Sequence, residues 1–220
     1  MDTIWYQALI PENLSLMFLY GRLDMGNNIK LPLKIYLQDY AGDYGKYIDA
    51  VYAIFERDFI KSKAKFGSHS LGMKINPLFQ ERAYTFYHMT HEGEDEGNRI
   101  PDLRRCECLP WARPAVENAQ KWGLKFWRQS RSRSKNRVCI WLESSKYVKD
   151  DYFIILEVRE TYVLLWTAFM AKYSNTTRKK QEEYEKWKNS EGKNINTPDE
   201  LIELIQSDIK KQGADKSPLP

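Results

Sequence analysis

The sequence has few of the residues that mark secreted or zinc-binding proteins. Its 220 residues include only 3 cysteines and 3 histidines, and two of the cysteines, Cys106 and Cys108, are one residue apart. A C-x-C pair without a second pair nearby is a poor zinc site, and three cysteines make a poor disulfide framework. We therefore expect a reducing, cytoplasmic location, no metal and no cofactor.

Long apolar runs and a strong charge of one sign are also lacking. The most apolar stretch, 152–171, is interrupted by Glu157, Arg159 and Glu160, so no membrane-spanning helix and no membrane partner are predicted. The 34 basic and 30 acidic residues give a net charge of +4, which is too mild to identify a nucleic-acid-binding protein by itself. Aromatic residues, at 14%, are abundant and suit a core, an interface or base stacking.

Residue patterns predict an α+β protein. Apolar residues at helical spacing predict a helix over 43–61. Runs of β-branched and aromatic residues predict strands over 83–90, 138–142, 152–157 and 162–170, the last two joined as a hairpin. The expected fold is a helix followed by a four- to five-stranded antiparallel sheet, with a C-terminal helical extension.

Composition divides the chain into three segments. Segment 1–42 is strand-rich, with strands predicted over 14–20 and 30–37, and 43–172 is the α+β core domain. The segment 173–220 begins with a charged helix over 176–188. A second helix there starts with Thr197 as N-cap, Pro198 at the first position and Glu200 completing a capping box.

Groups suited to phosphate chemistry are concentrated between positions 81 and 111. If 83–90 is a strand, His88 lies near its end, beside a polar loop, where a histidine can exchange protons near neutral pH. Arg99, Arg104 and Arg105 follow, and forked guanidinium groups suit phosphate. Two structural alternatives stay open: His88 as a hydrogen-bonded residue at a sheet edge, and the arginines as a brace paired with nearby carboxylates such as Glu107.

A second basic segment, 121–137, carries seven basic residues and no acidic one. Aromatic rings are interleaved near its start, and this combination predicts a flexible loop that binds single-stranded RNA. A surface loop without a ligand is the alternative. The candidate RNA contacts from both regions are Arg99, Trp111, Lys121, Trp127, Arg131, Arg133 and Arg137.

The order of these parts resembles a known group of nucleases. A helix, a strand ending in His88, an arginine-rich loop and a closing hairpin with the last strand Leu165-Trp166-Thr167-Ala168-Phe169 resemble the phage-associated branch of the barnase–EndoU–colicin–RelE ribonuclease superfamily. The resemblance covers about residues 66–172. It implies a metal-independent endoribonuclease of toxin or phage-defence type, in which a ribose 2′-hydroxyl attacks the adjacent phosphate.

The resemblance also implies roles for individual residues. His88 would be a general acid or base, Arg104 and Arg105 would stabilise the charged phosphorane, and Thr167 would contact a phosphate oxygen. Glu157 or Glu107 would be the complementary base. The final strand lacks the histidine of barnase, so catalysis driven by arginine, as in the RelE branch, and a fold without catalysis both stay open.

Three functions remain in competition at this point. The first is an RNA-cleaving toxin or effector, with RNA as substrate and an antitoxin as protein partner. The second is a nucleic-acid-binding protein without catalysis that uses 121–137. The third is a phage-encoded regulatory module in which aromatic residues form a protein interface.

Overall fold

The computed structural model describes residues 22–24, 29–93, 95–131, 134–144 and 150–214. Their elements follow one another from a small pair of strands to two C-terminal helices. In chain order the first elements are β1 (Arg22–Asp24), β2 (Lys30–Pro32), a 3₁₀-helix (Leu37–Tyr40), α1 (Tyr44–Phe55), a π-helix (Glu56–Lys61), β3 (Lys65–Phe66), β4 (His69–Gly72) and α2 (Tyr84–Thr90).

The second half of the chain supplies most of the sheet. Its elements are β5 (His91–Glu92), a 3₁₀-helix (Glu96–Asn98), β6 (Ile100–Pro101), α3 (Leu103–Glu107), α4 (Leu109–Glu117), β7 (Lys125–Arg131), β8 (Ser134–Leu142), β9 (Tyr152–Val158), β10 (Val163–Met170), α5 (Ser174–Lys188) and α6 (Pro198–Ala214).

The predicted α+β class is confirmed, but the expectation of a purely antiparallel sheet is wrong. The main sheet has six strands in the order β3-β4-β10-β9-β8-β7. Strands β7 to β10 form antiparallel pairs, whereas β4 runs parallel to β10, with Val163 opposite Leu71. The sheet is therefore mixed, because a strand from the first half of the chain joins the edge of the C-terminal meander.

The predicted strand over 83–90 is also wrong, since these residues form helix α2. All seven residues of α2 are buried, so the segment has no polar face that would reveal a period of two or of 3.6. Tertiary packing on both sides decides its conformation, and the aromatic composition that favours a strand in isolation is overridden.

Within the basic segment 121–137, residues 125–131 and 134–137 belong to paired strands and not to the predicted loop. Strands β7 and β8 pair from Lys125 opposite Trp141 to Arg131 opposite Ser134. Residues 125–128 pair with 138–141, so the predicted strand over 138–142 gives the first half of β7 its partners. The arginine-rich stretch likewise contains a helix, α3, whose N-cap Asp102 accepts hydrogen bonds from two backbone amides.

Other sequence predictions are confirmed. Helix α1 and the following π-helix cover 44–61, and β9 and β10 form the predicted hairpin. The capping box is present: Thr197 Oγ1 accepts from the Glu200 amide at 3.2 Å, and Glu200 Oε2 accepts from the Thr197 amide at 3.0 Å. The strand predicted over 30–37 is present only over Lys30–Pro32, which pairs with β1, while the predicted strand over 14–20 lies outside the described residues.

A continuous cluster of buried side chains links the early segment, the sheet and the last helix. It includes Leu31 from β2, Tyr47 from α1, Trp111 from α4 and Leu201 from α6, all between 0% and 1% exposed. Within the described ranges, no helix has both the length and the apolarity needed to cross a membrane.

Candidate nucleic-acid interface

A row of three ring side chains with a cation at each end runs from the segment before α2 to strand β8. We call Lys74, Tyr84, His88, Trp166 and Arg137 the cation–ring row. Lys74 Nζ lies 3.8 Å from the centre of the Tyr84 ring. The rings of Tyr84 and His88 are 4.4 Å apart, those of His88 and Trp166 5.6 Å. The Arg137 guanidinium lies 4.9 Å from the Trp166 ring.

Two local features of the chain build this row. Tyr84 and His88 are four residues apart on α2, so their side chains lie on the same face of the helix. Trp166 lies at a bulge in β10, because Leu165 is opposite Leu156 and Thr167 is opposite Ile155 on the neighbouring strand. A bulge redirects the side chain of the extra residue, and here the Trp166 ring meets His88.

The His88 imidazole is buried and uncharged at neutral pH. Its side chain is 5% exposed, and burial, followed by the positive charge of Arg99, lowers its pKa to about 4. Glu96 opposes this shift, with Oε1 3.7 Å from His88 Nε2. The same carboxylate oxygen accepts a hydrogen bond of 2.6 Å from the Tyr84 hydroxyl, which helps burial to raise the pKa of Tyr84 to about 12.

Arg99 and Arg105 bring positive charge to His88. Arg105 donates to the His88 carbonyl at 3.3 Å and lies 3.5 Å from the Asp102 carboxylate. Burial lowers the pKa of Arg105, and the nearby charge of Arg99 acts in the same direction. The Nε atoms of both arginines and Nε2 of His88 are buried without a hydrogen-bond partner in the described part of the chain. Each of these three side chains therefore has one buried nitrogen without a hydrogen bond, and that of Arg105 has the Asp102 carboxylate 3.5 Å away.

Of the residues predicted for catalysis, the structure brings His88, Arg105 and Thr167 together. Their contacts run through the His88 backbone: the Thr167 hydroxyl donates to the His88 carbonyl at 2.7 Å, and Arg105 donates to the same oxygen. The Thr167 hydrogen is therefore used to hold α2 against β10.

Arg104, Glu107 and Glu157 lie apart from that group. Arg104 pairs with Asp150 at 3.0 Å. Burial raises the pKa of the half-buried Glu107, and the charge of Lys34 opposes that shift. Glu157 forms ion pairs with Arg159 and, at 3.8 Å, with Arg137. It therefore reaches the cation–ring row through Arg137 and not through His88.

The predicted RNA contacts divide into enclosed and accessible residues. Trp111 is 1% exposed and donates to the Pro32 carbonyl, and Trp127 is completely buried. Lys121 is exposed next to α4, and Arg137 is part of the cation–ring row. Arg131 ends β7, whereas Arg133 lies outside the described residues.

Sequence reasoning missed Lys74, Tyr84 and Trp166 as members of the site. Tyr84 and His88 have the i, i+4 spacing of one helix face, but that spacing indicates a contact only in a helix, and a strand was predicted here. Trp166 had no comparable signal, because a bulge depends on the pairing of two strands. Lys74 reaches Tyr84 only because backbone hydrogen bonds join 74–75 to the start of α2.

Comparisons with protein-family models, curated proteins and solved structures give no match for this chain. In the ranges that the structure describes, no group of three or more His, Cys, Asp or Glu side chains is arranged to hold a metal ion. The geometry of the cation–ring row is therefore the basis for assigning a function.

Proposed function

We propose that the protein binds single-stranded RNA at the cation–ring row, with a base against Trp166 and the adjoining phosphate at Arg99 and Arg105. The observation that carries this proposal is that Nε of Arg99 and Nε of Arg105 are both buried without a hydrogen bond in the described part of the chain. A buried donor without an acceptor costs about 1–3 kcal/mol. Phosphate oxygens supply acceptors to the guanidinium groups and remove that cost.

The rings favour a nucleic acid over a small inorganic anion. Trp166 is partly exposed, and the Arg137 guanidinium lies over its ring. Aromatic rings flanked by cations bind single strands because bases stack on the rings while phosphates meet the charges. At the other end of the row Lys74 is exposed, so a cation lies at each end.

Fluorescence anisotropy with labelled single-stranded RNA of five nucleotides tests this proposal. Loss of one stacked base costs about 1–3 kcal/mol, so Trp166→Ala weakens affinity by about 10- to 100-fold. Each phosphate contact contributes a slope of about 0.7 to the dependence of log affinity on log salt. We therefore expect Arg99→Gln and Arg105→Gln each to reduce the slope by roughly that amount.

Arg178→Gln is the matched control, because Arg178 is an exposed arginine on α5 that pairs with Glu182. It should leave both affinity and slope unchanged. Wild-type protein that does not bind the RNA, or a Trp166→Ala variant that binds as tightly as wild type, contradicts the proposal.

RNA cleavage is a second candidate, favoured by the His88 imidazole beside the Glu96 carboxylate and by Arg105 on the carbonyl of the same residue. With its lowered pKa this imidazole is neutral at pH 7 and accepts a proton. In the proposed reaction it takes the proton of a ribose 2′-hydroxyl. The 2′ oxygen then bonds to phosphorus, and the bond from phosphorus to the 5′ oxygen breaks. The leaving 5′ oxygen takes a proton from solvent, and the product strand ends in a 2′,3′-cyclic phosphate.

Incubation of RNA with wild type and His88→Ala in the presence of EDTA separates cleavage from binding. Cleavage predicts cyclic-phosphate ends with wild type and their loss with His88→Ala, and a matching DNA oligonucleotide stays intact because it lacks the 2′-hydroxyl. RNA that stays intact while bound supports the binding function alone.

A further inference from the structure

The face of β7 that lies under helix α5 has the same kind of chemistry as the cation–ring row. Alternate residues of a strand point to the same side of the sheet, which places Lys125, Trp127 and Gln129 together. Their partners on β8 are Trp141, Cys139 and Arg137. Arg137 thus belongs to this face and to the cation–ring row, so the two surfaces are continuous across the sheet.

Helix α5 covers this face with groups that resemble parts of a nucleotide. The Glu183 carboxylate accepts from Gln129 at 3.1 Å and from the Trp127 indole at 3.4 Å. The Gln181 carbonyl accepts from Lys125 at 2.9 Å. The Tyr184 ring lies 5.7 Å from the Trp127 ring. A phosphate, a base carbonyl and a base ring offer the same three interactions.

The contact between α5 and the sheet combines these polar groups with two rings of the helix, Tyr184 and Trp187. Of the 15 residues of α5, only Lys180 and Trp187 are buried, whereas α6 buries Leu201, Ile202 and Ile205 completely. Oε1 of Gln129, under α5, is buried without a hydrogen-bond partner among the described residues. A helix held by few apolar contacts and an incompletely bonded polar interface opens more readily than the rest of the fold.

We propose that α5 is a displaceable cover, and that single-stranded RNA extending beyond the cation–ring row takes its place on Lys125, Trp127 and Gln129. This inference rests on the proposed RNA-binding function and describes how RNA length regulates that binding. Short RNA occupies the open row only, while longer RNA competes with Glu183 and Gln181 for the covered face. Displacement gives the protein a preference for longer single strands.

Hydrogen exchange and RNA affinity of the full chain test the cover. Glu183→Lys removes the carboxylate from Trp127 and Gln129, and Glu182→Lys makes the same charge change at a neighbouring residue that is 60% exposed. We expect Glu183→Lys to speed amide exchange over 174–188. It should raise affinity for a 20-nucleotide oligouridylate about 10-fold more than Glu182→Lys does, while the two variants bind a five-nucleotide RNA alike.

The wild-type protein provides a second measurement that does not depend on any variant. Binding of the 20-nucleotide RNA should speed exchange over 174–188, whereas the five-nucleotide RNA should not. If the 20-nucleotide RNA leaves exchange over 174–188 unchanged or slows it, α5 is not a displaceable cover. The same conclusion follows if Glu183→Lys speeds exchange but binds the 20-nucleotide RNA no more tightly than Glu182→Lys does. Failure of five-nucleotide RNA to bind wild type counts against the cation–ring row, while the exchange over 174–188 still reports on the cover.

Discussion

At the scale of single residues, two buried histidines stand out. His88 stacks on Tyr84 and His91 stacks on Tyr87, each with ring centres 4.4 Å apart. Burial is the main cause that lowers the pKa of both histidines to about 4. Both are therefore neutral in the folded protein at pH 5 to 7, whereas in the unfolded chain a histidine begins to take up a proton below its ordinary pKa of about 6.5.

This difference makes folding stability depend on pH. Between about pH 6.5 and pH 4 the unfolded chain binds more protons than the folded one, so the free energy of unfolding falls as pH falls. A pKa difference of about 2.5 units at about 1.36 kcal/mol each sets an upper limit of roughly 3 kcal/mol per histidine. We expect the free energy of unfolding of His88→Gln to fall less steeply between about pH 6.5 and pH 4 than that of wild type, because the contribution of His88 is removed.

Urea denaturation of wild type and His88→Gln at pH 7, 6, 5 and 4 checks this prediction. The slope against pH is the quantity to compare, because the substitution also changes packing by an amount that is the same at every pH. Parallel curves for the two proteins would show that His88 does not titrate differently on unfolding.

At the scale of elements, helix α6 is held at its start by side chains from two parts of the chain. The capping box of Thr197 and Glu200 satisfies two backbone amides at the N-terminus. Between these two residues, Asp199 accepts from the amide and hydroxyl of Ser68 at 2.8 Å and 2.7 Å, in the turn between β3 and β4. The start of α6 is therefore fixed both locally and against the sheet.

Removal of the cap hydroxyl gives a prediction at this scale. Thr197→Ala leaves the Glu200 amide without its acceptor and lowers the free energy of unfolding by about 1 kcal/mol. Thr197→Ser keeps the oxygen and should stay close to wild type in chemical denaturation. Equal losses in the two variants would mean that the hydroxyl bond is not what stabilises the helix.

At the scale of the whole molecule, the C-terminal helix shares its core with the sheet. Leu201, Ile202 and Ile205 are completely buried, and Arg128 of β7 forms ion pairs with Glu191 and, at 2.5 Å, with Asp208 of α6. Apolar burial and a buried cation thus join the extension to the edge of the sheet.

We expect the described part of the chain to unfold in one cooperative transition. Leu201→Ala removes packing between α6 and the sheet and should lower the free energy of unfolding by about 2–5 kcal/mol. Ile209→Ala, at a partly buried position of the same helix, should cost less. Transitions followed by tryptophan fluorescence and by circular dichroism should coincide, and separate transitions would show that α6 unfolds on its own.

The sequence by itself determined the elements whose signals are local. Helix α1, the β9–β10 hairpin and the capping box of Thr197 depend on periodicity or on spacings of three residues. These signals lie between residues that are close together in the sequence, so they can be detected without the structure. It also placed His88, Arg99 and Arg105 in one functional hypothesis, since they are close in the chain and chemically matched to phosphate.

Only the tertiary structure decided the rest, because it depends on residues that are distant in the chain. Seven buried residues in succession carry no period, so packing alone makes α2 a helix. The bulge that turns Trp166 toward His88 requires β9 as a partner. The carboxylates of α5 and α6 that enclose Trp127 and Arg128 lie more than fifty positions away, and long-range pairing of this kind has no local signature.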